Sequence, residues 1–322
     1  MSKNNSSIRN LYYLLKRRAY QVKGTYPLTR LSKNKNSDNS KTYYVIRRPG
    51  SRGGFFSNYL YVLGHVAYAD KKGYIPVVDM LNYKTVYNEL EDINGTENAW
   101  EYYFLQPNDE DLSAAYESGN CILSDGLYLS QYTLQYVGKG SSLPSVNRIR
   151  ELSSLTDRYM KVRPEILDSV NAYWNMFVLD NDHTVLGVHV RGTDMKACKG
   201  HPVPRSVDDY VSTIRDMINR HDTINNIFLC TDEKGVIDRF CLEFPGKVFF
   251  TDSYRADSGS TTGIHMEKES PRQFHHYLLG REVLEDVILL SKCNYLLCGH
   301  SNVSLAALIM NAGAYLDVKC LD

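Results

Sequence analysis

From Thr42 onward, short apolar runs alternate with longer stretches whose apolar residues recur at helical spacing. The runs predict strands over residues 43–47, 74–79, 184–191, 226–231, 247–251, 295–298 and 314–318. The periodic stretches predict helices over residues 55–71, 157–174, 207–220, 234–243, 280–292 and 302–311. A glycine-containing turn at 49–54 joins the first strand to the first helix, in the order of a βαβ unit. Strands that read as continuous apolar runs belong in parallel sheets covered on both faces. The expectation is a two-domain α/β protein with units at 42–180 and 181–322 and a cleft between them. Residues 82–150 are Tyr-rich, polar and weakly periodic, and no element order follows for them.

Residues 1–41 read differently, as a basic tail and linker. Ile8, Leu11, Tyr12, Leu15, Ala19 and Val22 recur at helical spacing, flanked by Arg9, Lys16, Arg17 and Arg18. Two readings stay open: a helix lying on an anionic membrane through residues 1–30, or one packed on protein. The Asn, Ser and Lys run at 31–41 reads as linker.

Composition sharpens this picture. The 322 residues, 43% of them apolar, fit one large or two ordinary domains and argue against a disordered chain. The 37 basic and 37 acidic residues cancel, yet residues 1–52 hold 13 of the basic ones and only Asp38 among the acids. That segment carries +12 and the remainder −12. An acidic body without a nucleic-acid module argues against nucleic acid as partner. No run approaches the roughly 18 apolar residues of a membrane span, and the N-terminus lacks the apolar core of a secretory signal, so a cytoplasmic protein is expected. Seven cysteines without a C-x-x-C pair point to reduced thiols rather than disulfides or structural zinc.

In parallel α/β sheets, ligands gather at the carboxyl ends of the strands. Three polar groups stand there: His189, Arg191, Thr193 and Asp194; Thr231, Asp232 and Glu233; Gly299, His300, Ser301 and Asn302. Arg191 offers a planar, permanently charged fork that matches phosphate oxygens. Alternation puts His189 and Arg191 on one face, Gly192 permits close approach, and Asp194 can orient the fork. Ser301 and Asn302 open a helix, where they serve a diphosphate or simply cap the helix. The turn R-G-G-F-F-S-N, with Gly53, Gly54 and Asn58, repeats that construction in the first half. No Walker sequence and no G-x-G-x-x-G occurs, which argues against ATP hydrolysis and dehydrogenase chemistry. Asp286, where a helical pattern turns apolar, is either an acceptor for paired N–H groups such as guanine's or a surface acid paired with Arg281 or Lys292.

Three motifs together resemble the α-1,6-fucosyltransferases and nodulation fucosyltransferases, with a more distant likeness to protein O-fucosyltransferases. They are V-L-G-V-H-V-R-G-T-D at 185–194, I-F-L-C-T-D-E at 227–233, and L-E-D-V-I-L-L-S-K-C-N-Y-L-L-C-G-H-S-N-V at 284–303. The resemblance spans residues 53–73 and 186–311. It implies a GT-B-like glycosyltransferase with two Rossmann-like domains facing a cleft. The implied reaction is inverting and metal-independent, and transfers L-fucose from GDP-fucose to a glycan or lipid-linked oligosaccharide hydroxyl. No cofactor is implied, because GDP-fucose is a substrate. Arg191 would then hold the β-phosphate, His189 and Asp286 the guanosine, and Ser301 and Asn302 the diphosphate. Gly53, Gly54 and Asn58 would close from the first half, and Asp232 would complete the donor site.

The chain departs from the family at two places. Gly192 stands where the α-1,6 enzymes have a second arginine, and Lys199 or a neighbour stands where a further acid is expected. Asp194 and Asp208 are the candidates for the general base, each with a purely structural alternative. Another nucleotide sugar as donor, or a non-catalytic nucleotide-sugar or glycan-binding protein, are the alternative readings. The 25 tyrosines suit either an acceptor groove or ordinary packing.

Overall fold

A computed structural model describes residues 29–31, 41–50, 53–124, 129, 132, 143–178, 184–191, 205–257, 263–266 and 270–321. The amphipathic pattern at 8–22 and the linker at 32–40 lie outside them.

The first half builds one sheet. Its strands are β1 (Thr29–Leu31), β2 (Tyr43–Ile46), β3 (Ile75–Val78) and β4 (Cys121–Leu123), in the order β1-β4-β2-β3. β2 runs parallel to both β3 and β4, whereas β1 pairs antiparallel with β4. Residues 29–31 therefore add an edge strand to the sheet, although their composition reads as part of the tail. Between β2 and β3 runs α1 (Phe55–Lys72), and α2 (Leu112–Glu117) precedes β4. α1 is apolar almost all round and is buried on most of its surface, because it lies between the sheet and the second half.

Two helices follow, α3 (Val146–Tyr159) and α4 (Pro164–Phe177), where the periodicity predicts one over 157–174. Pro164 explains the break. Its ring drives the preceding residue out of the helical region, and Arg163 takes φ −60°, ψ 137°. The freed backbone pairs sideways: Leu105 N–H donates to Lys161 O at 2.9 Å, and Arg163 N–H to Tyr103 O at 2.9 Å.

The second half is a parallel five-stranded sheet. Its elements are β5 (Thr184–Val190), α5 (Val207–Arg220), β6 (Ile224–Thr231), α6 (Lys234–Glu243), β7 (Val248–Phe249), α7 (His275–Lys292), β8 (Tyr295–Gly299), α8 (Asn302–Met310) and β9 (Asp317–Leu321). The strand order is β7-β6-β5-β8-β9. α5 begins at a capping box in which Ser206 and Asp209 bond each other's backbone N–H. β9 starts three residues later than the apolar run predicts. The Asn311 side chain accepts the N–H groups of Ala314 and Tyr315 at 2.7 Å each and holds that stretch in a turn.

Both faces of this sheet are covered. Leu186, Val188 and Val190 pack under α5 and α6 with Ile214, Met217 and Phe240. On the other face, Val185, Phe228 and Leu296 join a core that runs through α7 and α8 into α1 and β2 of the first half. The two halves are thus seamed by shared apolar burial, with α1 packed on α7 and α8 and α3 packed on α8. Polar bonds reinforce the seam: Tyr103 donates its hydroxyl to Tyr277 O at 3.0 Å, and Glu89 accepts Tyr277 N–H at 2.8 Å. Gly280 makes this contact possible, because a Cβ there would fall within 2.5 Å of Tyr103 Cζ.

Among the described residues, no helix is long and apolar enough to cross a membrane.

Candidate active site

The carboxyl ends of β5 and β6, the exit of β7, the middle of α7 and the start of α8 meet the glycine turn of the first half around a cavity of about 330 Å³. That size falls within the range of small-molecule sites.

β5 supplies two side chains by alternation. Val188 and Val190 enter the apolar layer, so His189 and Arg191 turn toward the cavity. His189 is buried, with Nδ1 3.0 Å from the Ser304 hydroxyl and 3.4 Å from that of Ser301. Burial pushes its imidazole down to about 3, and the Arg191 charge acts in the same direction. The ring is therefore neutral at pH 7 and serves as a hydrogen-bonding edge. Arg191 remains half-exposed at the strand end.

The opposite wall is α7, where Asp286 is 4% exposed. Thr251 donates to its Oδ1 at 2.5 Å. Burial raises the carboxyl to about 6, against the opposing pull of the Thr251 bond and of Arg255. The ion pairs that would make Asp286 a surface acid do not form: Arg281 bonds Glu285 at 2.9 Å. Arg255 shapes the segment after β7 by donating to the carbonyls of Thr251 and Ser253 at 2.7 Å each. This brings Ser253 and Tyr254 to the cavity wall. Glu282, one turn before Asp286, accepts Tyr254 N–H at 3.1 Å and is bonded by Arg272.

At the start of α8, Ser301 caps the helix by accepting Ser304 N–H at 3.0 Å, while Asn302 and Val303 line the cavity. From the first half come Gly53, Gly54, Phe55, Phe56, Ser57 and Tyr87. Gly54 is the N-cap of α1 and has no side chain to occupy the space. Asn58 stays behind this wall, where Arg48 donates to its Oδ1 at 2.7 Å and its amide donates to Gly53 O at 3.3 Å. Ile264 and His265, on a single turn of 3₁₀ helix, complete the lining.

The structure therefore brings His189, Arg191, Asp232, Asp286, Asn302, Gly53 and Gly54 to one cavity. Ser301 and Asn58 position its walls and are not among the lining residues. Asp208 is also not among them; it lies in the first turn of α5, paired with Arg239 at 3.0 Å. Gly192, Thr193, Asp194 and Lys199 lie outside the described residues. Tyr87, Ser253, Tyr254, His265 and Glu282 escape the sequence reading. For Ser253 and Tyr254 a signal existed, since T-D-S-Y-R follows the apolar run at 247–251 as the other polar groups follow theirs.

Chemically, the site combines a fixed cation, a neutral imidazole, an acceptor-only carboxylate when ionised, and two helix N-termini. An anionic ligand carrying N–H donors matches that set.

Neither the scan against family models nor the search of curated proteins finds a match. Solved structures do match. The crystal structure of NodZ α-1,6-fucosyltransferase co-crystallised with GDP aligns with TM-score 0.51 and 17% identity, over 84% of this chain and 92% of that one. Fucosyltransferase NodZ from Bradyrhizobium aligns with TM-score 0.46 and 18% identity, over 83% and 92%. POFUT1 in complex with GDP-fucose aligns with TM-score 0.47 and 8% identity, over 88% and 98%. The first likeness establishes the shared α/β architecture, a GT-B fold with parallel sheets.

Proposed function

We propose that this chain is a glycosyltransferase that moves L-fucose from GDP-fucose to a hydroxyl of a glycan or lipid-linked oligosaccharide, with inversion and without a metal. The observation that carries the reading is Arg191, standing at the end of β5 in a cavity shared with His189, Asp286, Asn302 and the Gly53–Gly54 turn. The fold shared with NodZ, crystallised with GDP, supports it.

Each residue has a part in the reaction. Cleavage of the bond between sugar and diphosphate concentrates negative charge on the departing β-phosphate. A preorganised guanidinium stabilises that charge more in the transition state than in the ground state. Asn302 at the start of α8 adds N–H groups and the positive end of the helix dipole. Ionised Asp286 accepts the paired N–H groups of guanine, and neutral His189 contacts the nucleoside. The first half offers the acceptor side, with the domain division at 42–180 and 181–322 and the tail at 1–41 retained as part of this reading. Cytoplasmic residence, with peripheral membrane contact through residues 1–30, belongs to the same proposal.

Calorimetric titration with GDP, UDP and CDP tests the donor class, and GDP release from GDP-fucose tests turnover. A preference for GDP is expected. Preference for UDP or CDP replaces the donor, and binding without release leaves a non-catalytic binding protein.

A further inference from the structure

We infer that Arg47, together with Tyr83, binds an anionic group of the acceptor, the carboxylate of an acidic sugar or a phosphate, an inference that rests on the transferase reading above. Alternation along β2 sends Tyr43 and Val45 into the layer shared with α2, and Tyr44 and Ile46 into the layer shared with α1. Two arginines continue that alternation past the strand end. Arg48 reaches α1, where it donates to Ser57 at 3.1 Å and Asn58 at 2.7 Å. Arg47 turns the other way, toward β4 and the chain that follows β3. Ser57 lines the donor cavity and Arg47 does not, so the two cations serve different spaces on one edge of the sheet.

Arg47 is held rigidly. Its N–H donates to Ser124 Oγ at 2.9 Å, that hydroxyl donates to Arg47 O at 3.0 Å, and Nε donates to Ser124 O at 2.7 Å. Nη1 donates to the Tyr83 hydroxyl at 2.6 Å, and the guanidinium lies 4.8 Å from the centroid of the same ring. These bonds use two of the fork's five N–H groups. Nη2 makes no hydrogen bond among the described residues and is not shut away from solvent. The Tyr83 hydroxyl accepts from Nη1, and no acceptor among the described residues takes its own proton. Two donors therefore stand side by side, one of them charged.

No acid among the described residues pairs with this charge. That is unusual in a body that carries −12, where Arg148, Arg158, Arg163, Arg215, Arg272 and Arg281 each pair with an acid. Asp79, the buried acid at the end of β3, is committed elsewhere. It accepts the N–H groups of Leu81 at 3.1 Å and Asn82 at 2.8 Å, the Asn82 amide at 3.0 Å and the Tyr116 hydroxyl at 2.6 Å. A guanidinium fixed by neutral partners keeps its charge for a ligand, and its planar fork matches carboxylate and phosphate oxygens. Arg47, Tyr83 and Ser124 follow β2, β3 and β4, at the carboxyl ends of three parallel strands, the edge where such sheets gather ligands. Arg191 occupies the matching edge of the second sheet, at the end of β5. The donor's diphosphate belongs to Arg191, which leaves the anion at Arg47 to the acceptor.

The test measures binding to the full chain, so that it does not depend on turnover. A short oligomer of galacturonic acid, its methyl ester of the same length, and inorganic phosphate are titrated by calorimetry with and without excess GDP. The acidic oligomer or phosphate is expected to bind and the ester is not, and the anion that binds names the source. Arg47→Gln should weaken that binding by about 10- to 100-fold and Arg47→Lys by less, with GDP affinity and melting temperature unchanged. Equal binding of the ester, wild-type affinity in Arg47→Gln, binding of neither anion, or displacement of the anion by GDP overturns the inference. If Arg47→Gln melts lower, Tyr83→Phe decides. Weakened anion binding at an unchanged melting temperature supports the site, and unchanged affinity overturns it. A wild type that binds the anion through Arg47 but binds no GDP keeps the anion site and overturns the transferase reading instead.

Discussion

Thr251 and Asp286 are joined by a 2.5 Å hydrogen bond that ties the segment leaving β7 to the buried face of α7. The hydroxyl fixes the carboxylate's orientation and favours its ionised form. Burial opposes ionisation more strongly and raises the group from 3.8 to about 6.

A pH dependence follows from that balance. A carboxyl whose folded value lies above its unfolded one destabilises the fold when ionised. The penalty is complete above about pH 6, diminishes as pH falls through 6, and is gone below 3.8. Two units correspond to roughly 3 kcal/mol. Chemical denaturation between pH 7 and pH 4 should show the wild type gaining stability relative to Asp286→Asn as pH falls. GDP affinity should move the opposite way, because only the carboxylate accepts guanine's N–H groups.

Arg191→Ala should reduce turnover by 10²- to 10³-fold, about 3 kcal/mol of transition-state stabilisation. Arg191 is half-exposed at a strand end, so its melting temperature should stay within a degree or two of the wild type. Steady-state GDP release and a thermal melt read the two effects separately.

His189 should not titrate in the physiological range, since burial holds its imidazole at about 3. Long-range ¹H–¹⁵N spectra recorded from pH 5 to pH 8 are expected to show one ring with constant shifts while exposed histidines move. His189→Gln should keep the fold and weaken GDP binding.

Gly280→Ala should destabilise the protein by about 1–3 kcal/mol, because the added methyl collides with the Tyr103 ring. Tyr103→Phe should not restore the loss, since Cζ and Cε1 remain in the way. Tyr103→Leu should recover part of it. A double-mutant cycle read by urea denaturation measures the coupling.

How much of this was readable depended on how each segment is held. α5 and α6 matched their predicted ranges because amphipathic periodicity and, for α5, a capping box act locally. Residues 82–111 resisted because side chains replace periodicity there. Asn98 bonds Met80 N–H and Val78 O, Gln106 bonds the backbone of Val78, and Asn88 bonds Thr85 N–H and Met80 O. Such contacts form only once the chain has folded. At the site, the strand-end rule located His189, Arg191, Asp232 and Asn302. It overlooked Ser253 and Tyr254, because β7 contributes only Val248–Phe249 before the chain turns toward Asp286. Tyr87 sits in a turn and His265 on a single turn of 3₁₀ helix, and no repeat announces either.

The bonds from Glu89 and Tyr103 to Tyr277 reach further than stability. Tyr277 begins the helix that carries Asp286 about 13 Å farther along its axis. A rod pinned to the first half at its first turn and packed on the second-half sheet couples both halves to the wall that holds Asp286, so substitutions at Glu89 or Tyr103 should register in the Asp286 environment far from where they are made.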